Sequence, residues 1–432
     1  MRRAVLLVSL LAVVATTAVT HAGAAKAPRS KVLAHSGASK APRFKVLGHA
    51  NPGGGGYSGD VVGERHYAYL SSRAGKTGAS CPAQGVRVYD LANPRKPRRI
   101  ATFASIPGTW TEKTIVRRVR TAGFDGVLAA TSVQACSNGF GGFVVYDVTH
   151  PAKPRRLALV RTEPRGSHEI WLAAARGHAW VYTAEAATEF AAAPASFGFH
   201  IYDVSHPTKP LEVGGWSACR DLHECTPLTP QEPGNDRRVL VHSVITNAAV
   251  TRAYLSDWTL GTVILDITNP AKPRYLGRTA RGQGNAHSAW LLPGEKVLLE
   301  THETLSGRPV VWNVANPAHP VRLATVRLPS RLGPNGRFTN PGLPLEDSVH
   351  DPKAVGHFAY FSWYGEGVAL FDLKNPRKPR FLTRFQPPPG RDRHGLLCPG
   401  DTCTAVWGVF VMPRYVLASD MNSGLWVLSR PR

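Results

Sequence analysis

Short apolar runs that end in a carboxylate, or once in its amide, recur along the chain. Six of them are GVRVYD, GFVVYD, GFHIYD, GTVILD, RPVVWN and GVALFD, ending at Asp90, Asp147, Asp203, Asp266, Asn313 and Asp372. Val, Ile, Tyr and Phe dominate these runs, as they do in β-strands. Because the apolar residues are nearly continuous, the runs predict strands that are covered on both faces.

Each run is followed by a phrase with two prolines three residues apart, as in DLANPRKPRRI from Asp90. The Asp side chain can accept hydrogen bonds from the backbone of the turn that follows it. The first proline presets its φ angle for the turn, and the second keeps the preceding residue extended. The next apolar run, here RRIATF, is a further strand. We therefore predict a rigid strand–turn–strand unit, which we call the proline clip.

The spacing of the clips predicts the architecture. The residues that end the runs are separated by 57, 56, 63, 47 and 59 residues, and each interval holds two more strand-like runs. Four strands in each repeat are typical of a propeller blade. A seventh unit ends at Ser429 without a clip or fourth strand, while KAPRFKVLGHA (Lys40 to Ala50) resembles the fourth strands elsewhere. The sequence predicts an all-β, seven-bladed β-propeller of four-stranded antiparallel blades over residues 40–432, with residues 40–50 closing the last blade.

These phrases resemble the LVIVD-repeat family of exported bacterial proteins. The resemblance rests on the strand-plus-Asp runs and their proline clips, and it covers roughly Tyr57 to Arg432. It implies a seven-bladed propeller and assigns no activity. Some related surface proteins carry a C-terminal anchor, whereas this sequence ends in LSRPR, which speaks against attachment through that end.

The N-terminal residues predict export. Arg2 and Arg3 precede an apolar stretch from Ala4 to Ala15, and small residues follow, so residues 1–25 are expected to be a signal peptide cut between positions 22 and 25. An uncleaved membrane anchor is the alternative, but the apolar run is short for a span. Residues 26–39 hold an imperfect copy of the closing strand and are expected to be a flexible linker; alternatively, this copy competes for the same place in the last blade. The mature chain is predicted to be secreted, monomeric and without a transmembrane segment.

The six cysteines all follow the predicted signal peptide, and an even number in an exported chain favours disulfides. Cys219 and Cys225 are close in sequence, as are Cys398 and Cys403, which leaves Cys81 for Cys136. A zinc site is the alternative, but the sequence contains no CxxC pair.

The chain is strongly basic, with 52 Lys and Arg against 29 Asp and Glu. Part of this charge lies in the clips, which a four-stranded blade places on one face of the disc. A face of this kind can bind an anionic polymer or a protein partner; alternatively, the charge reflects composition and keeps exposed edges soluble. No specific nucleic-acid motif is present, since no aromatic residues interleave with the charges. The candidate anion-binding residues are Arg95, Lys96, Arg155, Lys272, Arg274, Arg377 and Lys378.

Histidines mark the opposite face. Four predicted blades start their first strand with one, namely His168, His242, His287 and His350. Acidic residues near the end of the second strand belong to the same face, and they are Glu185, Asp257, Glu300, Glu303 and Asp420. First strands line a propeller's axis, so the histidines can converge on a divalent transition metal, with Asp257 and Glu185 as further ligands or as partners of the imidazoles. Alternatively, each histidine pairs with an acid within its own blade and only fixes loops.

The sequence lacks the nucleophile elbow GxSxG, the zinc-protease motif HExxH and a phosphate-binding P-loop. We therefore predict an exported, non-catalytic binding or scaffold propeller whose ligand the sequence does not identify; an anionic surface polymer and a partner protein are the candidates. The alternative is a metal-dependent hydrolase or oxidase with a histidine and carboxylate centre at the channel mouth.

Overall fold

The structure is a computed structural model, and it describes residues 42–51, 53, 56–73, 85–136, 140–162, 166–185, 198–225, 239–280, 284–303, 307–329, 348–395, 397–398 and 400–431. The predicted signal peptide, the predicted linker and Cys81 lie outside the described residues. Within the described part of the chain, no helix is both long and apolar enough to cross a membrane.

Seven four-stranded antiparallel sheets form the blades of a propeller, which confirms the predicted fold. In the order strand 1 to strand 4, blade 1 consists of Tyr57–Glu64, Tyr67–Arg73, Val86–Asp90 and Arg98–Phe103. Blade 2 consists of Thr114–Arg120, Asp125–Ala135, Gly142–Asp147 and Arg155–Arg161. Blade 3 consists of Glu169–Ala175, His178–Ala184, Phe199–Asp203 and Leu211–Trp216. Blades 4 and 5 consist of Val241–Thr246, Arg252–Asp257, Gly261–Asp266 and Arg274–Arg278; and Asn285–Leu291, Val297–Glu303, Val310–Asn313 and Val321–Thr325.

Blade 6 consists of Pro352–Val355, Phe358–Trp363, Gly367–Asp372 and Arg380–Phe385, and blade 7 of Val406–Val411, Tyr415–Asp420, Gly424–Ser429 and Val46–Ala50. Three short strands lie outside this pattern. Thr109–Trp110 pairs with strand 2 of blade 2, and Gly390–Arg391 pairs with Thr402–Cys403. The only helical segment among the described residues is Ala218–Leu222.

The N-terminal strand closes the ring, as predicted. Val46–Ala50 pairs antiparallel with Gly424–Ser429, so that Gly48 lies opposite Val427 and Ala50 opposite Leu425. The first and last strands of the propeller therefore share one sheet, and the last blade has no missing strand.

The hydrophobic core lies between blades. Separate clusters of buried side chains join every adjacent pair of sheets around the ring, including blade 7 to blade 1, where Leu417 and Leu70 belong to one cluster. Strand 3 residues such as Val263 and Ile264 are fully buried and enter the clusters on opposite sides of their blade. This two-sided burial explains why the apolar runs are continuous rather than alternating.

The proline clips form through the hydrogen bonds that the sequence predicts. The Oδ1 atom of Asp90 accepts from the backbone N–H of Ala92 at 2.9 Å, and the equivalent acceptor in blade 5, Asn313, does the same for Ala315 at 3.0 Å. Four clips add an ion pair between the other carboxylate oxygen and an arginine eight residues later: Asp90–Arg98, Asp147–Arg155, Asp266–Arg274 and Asp372–Arg380. The clip of blade 5 begins with Asn313, which has no charge to pair, and it has Val321 at the position of the arginine.

The clips also join neighbouring blades. A Cβ atom added to Gly277 in strand 4 of blade 4 would lie 2.3 Å from the main-chain oxygen of Pro317 in the clip of blade 5. Gly48 in the closing strand has the same relation to Pro94 of blade 1, at 2.0 Å. Since no Cβ fits at such distances, strand 4 needs glycine where the next clip packs closely against it. The closing strand thus fills the place of a fourth strand in packing as well as in pairing.

Two of the predicted disulfides are confirmed, since Cys219 is bonded to Cys225 and Cys398 to Cys403. The pairing of Cys81 with Cys136 stays a prediction because Cys81 lies outside the described residues.

Candidate functional site at the propeller axis

Bulges in the first strands bring two consecutive residues to the axis of the propeller. In blade 4 the pairing register shifts between Val241 and Ser243, and in blade 5 between Ala286 and Ser288. Side chains normally alternate between the two sides of a strand, and a bulge interrupts that alternation. As a result His242 and His287 join a ring of axial side chains, while Ser243 and Ser288 line a cavity next to it.

The four predicted histidines lie side by side in that ring. Their ring centroids are 4.5 Å apart from His168 to His242, 4.1 Å from His242 to His287 and 4.1 Å from His287 to His350. Trp407 continues the series 4.0 Å from His350. All four histidines are buried. We call His168, His242, His287 and His350 the histidine ring.

Blades without a first-strand histidine supply other side chains at the same level. Trp407 belongs to blade 7, and the guanidinium of Arg73 from blade 1 lies 4.7 Å from its ring centroid. The same guanidinium lies 5.4 Å from Trp110, whose ring is 6.1 Å from that of His168. Seven side chains therefore form a closed circuit around the axis. The missing histidines of blades 1, 2 and 7 are replaced by aromatic or cationic groups.

Main-chain oxygens of neighbouring blades fix the tautomers of two histidines. The Nδ1 atom of His242 lies 3.2 Å from the oxygen of His287, and Nδ1 of His287 lies 2.9 Å from the oxygen of His350. A carbonyl oxygen can only accept, so each Nδ1 carries the proton and each Nε2 keeps its lone pair. Burial, reinforced by the neighbouring histidines, lowers the pKa of His287 well below its ordinary value. His287 is therefore neutral and presents a lone pair at Nε2.

A cluster of charged residues lies next to the histidine ring. The Nζ atom of Lys113 lies 2.7 Å from a carboxylate oxygen of Asp351, 3.1 Å from one of Asp60 and 3.3 Å from one of Glu169. All four side chains are buried, and they come from blades 1, 2, 3 and 6. We call Asp60, Lys113, Glu169 and Asp351 the charged floor. Blade 7 contributes Gly408 at this level, where a Cβ atom would lie 2.2 Å from Oδ1 of Asp60.

Burial and the ammonium of Lys113 shift the pKa values of the three floor carboxyl groups in different directions. Burial raises the pKa of Glu169 to about 7 although Lys113 opposes the shift, and burial also raises the pKa of Asp60. For Asp351, burial is outweighed by Lys113 and Lys353, which lower its pKa well below the ordinary value. Burial disfavours the charged form of Lys113, but its three carboxylates raise its pKa well above the usual range. Lys113 and Asp351 therefore stay ionised, whereas Glu169 and Asp60 release their protons less readily than an exposed carboxyl group does.

The charged floor ends an axial cavity of about 380 Å³. Next to the floor, the wall of the cavity is mostly apolar and comes from strand 1 of every blade: Val62, Ile115, Trp171, Ile245, Trp290, Lys353 and Phe410. Glu64, Arg118 and Val355 line it near the far ends of their strands, which lie on the face of the disc that carries the clips. The histidine ring and the cavity are thus on opposite sides of the floor.

Two of the predicted metal ligands do not join the histidine ring. Oδ1 of Asp257 accepts from the backbone N–H groups of Thr259 and Leu260, so this side chain caps the turn between strands 2 and 3. A carboxylate oxygen of Glu185 lies 3.5 Å from Nε2 of His200, at the outer part of blade 3. Of the acids at the ends of second strands that the sequence singles out, Glu303 reaches the ring, with an oxygen 3.6 Å from Nε2 of His287.

The predicted anion-binding residues fall into two groups. Arg155 and Arg274 form the ion pairs of their clips with Asp147 and Asp266. The other five have exposed side chains on the clip turns, and they are Arg95, Lys96, Lys272, Arg377 and Lys378. Part of the basic charge on this face therefore stabilises the clips themselves.

Half of the charged floor could have been found from the sequence, because two of its residues directly follow the predicted histidines. Glu169 and Asp351 directly follow ring histidines, in SHEIW and SVHDP. The equivalent positions of blades 1 and 2, Asp60 and Lys113, follow Gly59 and Glu112 instead. Without a histidine to mark the register, these two positions could not be aligned with the others.

Comparisons with known proteins agree with this architecture. The LVIVD repeat family model matches residues 253–280, which cover strands 2 to 4 of blade 4, and this confirms the resemblance that the repeated phrases indicate. No curated protein matches the chain. Among solved structures, Raptor of Chaetomium thermophilum is similar with a TM-score of 0.56 and 12% identity. The match covers 91% of this chain and 30% of that one, and at such low identity it supports the fold alone.

Proposed function

We propose that this LVIVD-repeat propeller is an exported, non-catalytic binding protein, and that it holds a small uncharged organic molecule in the axial cavity. The observation that carries the proposal is the make-up of that cavity, in which an apolar wall leads to a floor with both hydrogen-bond donors and acceptors. Cavities of roughly 300–1,000 Å³ with apolar walls and a few convergent polar groups are the usual form of small-molecule sites. The axial cavity, at about 380 Å³, is in that range.

The wall suits a flat or ring-shaped apolar surface. The indoles of Trp171 and Trp290 meet edge to face, with centroids 5.9 Å apart. A cation covers each of them, since Arg117 lies 5.5 Å from the centroid of Trp171 and Lys353 lies 4.8 Å from that of Trp290. Aromatic rings held in this way offer rigid contact area at little cost in side-chain entropy.

The floor favours a ligand without net charge. At this end of the cavity Lys353 can donate a hydrogen bond, Asp60 and Glu169 can accept them, and the neighbouring hydroxyl groups of Ser243 and Ser288 can do both. A charged ligand of either sign would bring a like charge close to one of these groups, which costs free energy in a buried site. Hydroxyl or amide groups on an apolar frame, as in a saccharide, can satisfy donors and acceptors together.

Export is supported by the two disulfides, which are typical of proteins from oxidising compartments. An anionic surface polymer bound to the clip face is the competing ligand. It is less well supported because Arg155 and Arg274 already pair with aspartates of their own clips.

The test is calorimetric titration of the full chain with neutral mono- and disaccharides, with simple carboxylates and amines, and with an anionic polymer. We expect binding of a neutral compound that Trp290→Ala weakens by about tenfold or more, because an apolar wall is lost. Trp426→Phe, at the outer part of blade 7, is the matched control and should leave binding unchanged. If only the anionic polymer binds, and Trp290→Ala has no effect, the axial cavity is not the binding site.

A further inference from the structure

The histidine ring contains a set of groups suited to a metal ion that is separate from the axial cavity. We propose that His287, Glu303 and His350 bind one divalent transition-metal ion, with zinc as the reference ion. Their ligand atoms all lie within 4.8 Å of one another. Two imidazoles and a carboxylate suit zinc, iron or copper, whereas calcium and magnesium prefer oxygen ligands alone.

The chemistry of His350 points to a missing ligand. Its side chain is buried, with only 1% exposed, yet neither ring nitrogen has a hydrogen-bond partner among the described residues. Buried polar groups without a partner are rare, because leaving one unsatisfied destabilises the folded state. A metal ion bound through one of these nitrogens gives that nitrogen a partner and so removes part of the cost.

The other two residues are already oriented. The Nδ1–H group of His287 donates to the main-chain oxygen of His350 at 2.9 Å, which leaves the Nε2 lone pair on the side of Glu303. Tyr364 donates a short hydrogen bond to Oε1 of Glu303. Metal-binding histidines and carboxylates usually have such outer partners, which fix the tautomer and direct the ligand atom.

A second combination shares one residue with the first. Glu169, His242 and His287 also have ligand atoms within 4.8 Å of one another. In that set, however, Glu169 lies 3.3 Å from the ammonium of Lys113, and a divalent cation would lie beside this positive charge. The charge arrangement therefore favours the set with Glu303.

Zinc titration of the metal-free full chain, against a chromophoric chelator at one fixed pH, tests the site. We expect about one zinc ion for each chain, and we expect Glu303→Gln and His350→Ala to abolish this binding. Tyr364→Phe keeps the shape of the side chain but removes its hydrogen bond, so affinity should fall about 10–100-fold. His357→Ala is the control, because this histidine lies on the surface beside Asp372.

The variants also separate the alternatives. Loss of binding in His242→Ala, together with normal binding in His350→Ala, would place the ion on the other set and overturn the proposal. Absence of zinc binding by the unchanged protein, or an equal loss in His357→Ala, would overturn it as well. If His350→Ala fails to fold, as judged by its melting curve, Glu303→Gln and Tyr364→Phe decide the outcome because both preserve side-chain shape.

Discussion

The ammonium of Lys113 in blade 2 lies 2.7 Å from a carboxylate oxygen of Asp351 in blade 6, although 238 residues separate them along the chain. With Asp60 and Glu169 at 3.1 and 3.3 Å, this one cation joins four blades at the axis. Its partners are buried, so they have little access to water as a substitute for the lysine.

We expect Lys113→Met to lower the free energy of unfolding by about 3–5 kcal/mol, because it leaves uncompensated buried carboxylates. Urea denaturation measures this change, and Lys378→Met, at an exposed clip position, is the control. Adding Glu169→Gln to Lys113→Met should restore part of the loss, since it removes a buried carboxylate that pairs with Lys113, whereas Asp351 keeps an ion pair with Lys353 at 3.0 Å. If the second change gives no recovery, the lysine acts through packing rather than charge.

The turn cap of blade 4 should make stability depend on pH. Burial raises the pKa of Asp257 from 3.8 to about 7, against the hydrogen bonds from Leu260 and Thr259. The folded protein therefore retains a proton that the unfolded chain releases, and stability falls as the pH rises from about 4 to about 7. Asp257→Asn stays neutral and keeps the acceptor oxygen, so its unfolding free energy should fall less over this range, by on the order of 3 kcal/mol. Urea denaturation at several pH values measures both proteins, and parallel curves would contradict the prediction.

The close packing of the closing strand against the first clip gives a sharp test of ring closure. Gly48→Ala places a Cβ atom 2.0 Å from the main-chain oxygen of Pro94, so strand and clip must move apart. We expect a loss of about 1–3 kcal/mol and a lower melting temperature. Gly400→Ala is the matched control, since its Cβ would have no atom within 4 Å. Removing residues 42–50 altogether should lower the melting temperature by several degrees. A melting curve that neither change affects would mean that the strand does not contribute to stability.

The sequence predicts this fold well because its signals are local and repeated. Each clip places Asp, prolines and the next strand within about a dozen residues, and the hydrogen bond from Ala92 to Asp90 depends on nothing further away. Ring closure could be inferred since the Lys40 to Ala50 segment resembles the fourth strands. The histidine ring could be inferred too, because four blades repeat the same residue at the same position.

The remaining parts of the site depend on contacts across the axis, which no local pattern encodes. Lys113 meets partners from three other blades, and the sequence gives no measure of which first-strand residues share a level. Asp257 is an acid at the end of a second strand, as a metal ligand from this face would be, but its Oδ1 atom accepts hydrogen bonds from the turn that follows it. Asp420 caps the equivalent turn of blade 7 in the same way, through the N–H groups of Asn422 and Ser423. In blades 4 and 7 the acid at this position therefore caps the turn between strands 2 and 3.

The pairing of Val46–Ala50 with Gly424–Ser429 determines when the ring can close relative to synthesis of the chain. The first strand of the propeller to leave the ribosome is the last to find its partner, since that partner is made some 370 residues later. During that interval every complete blade can fold, but the ring stays open at one seam. A chain that is cut short before residue 424 has no place for its own beginning, and its exposed sheet edges distinguish it from the finished molecule. Closure of the ring therefore requires a chain that extends through the Gly424–Ser429 strand.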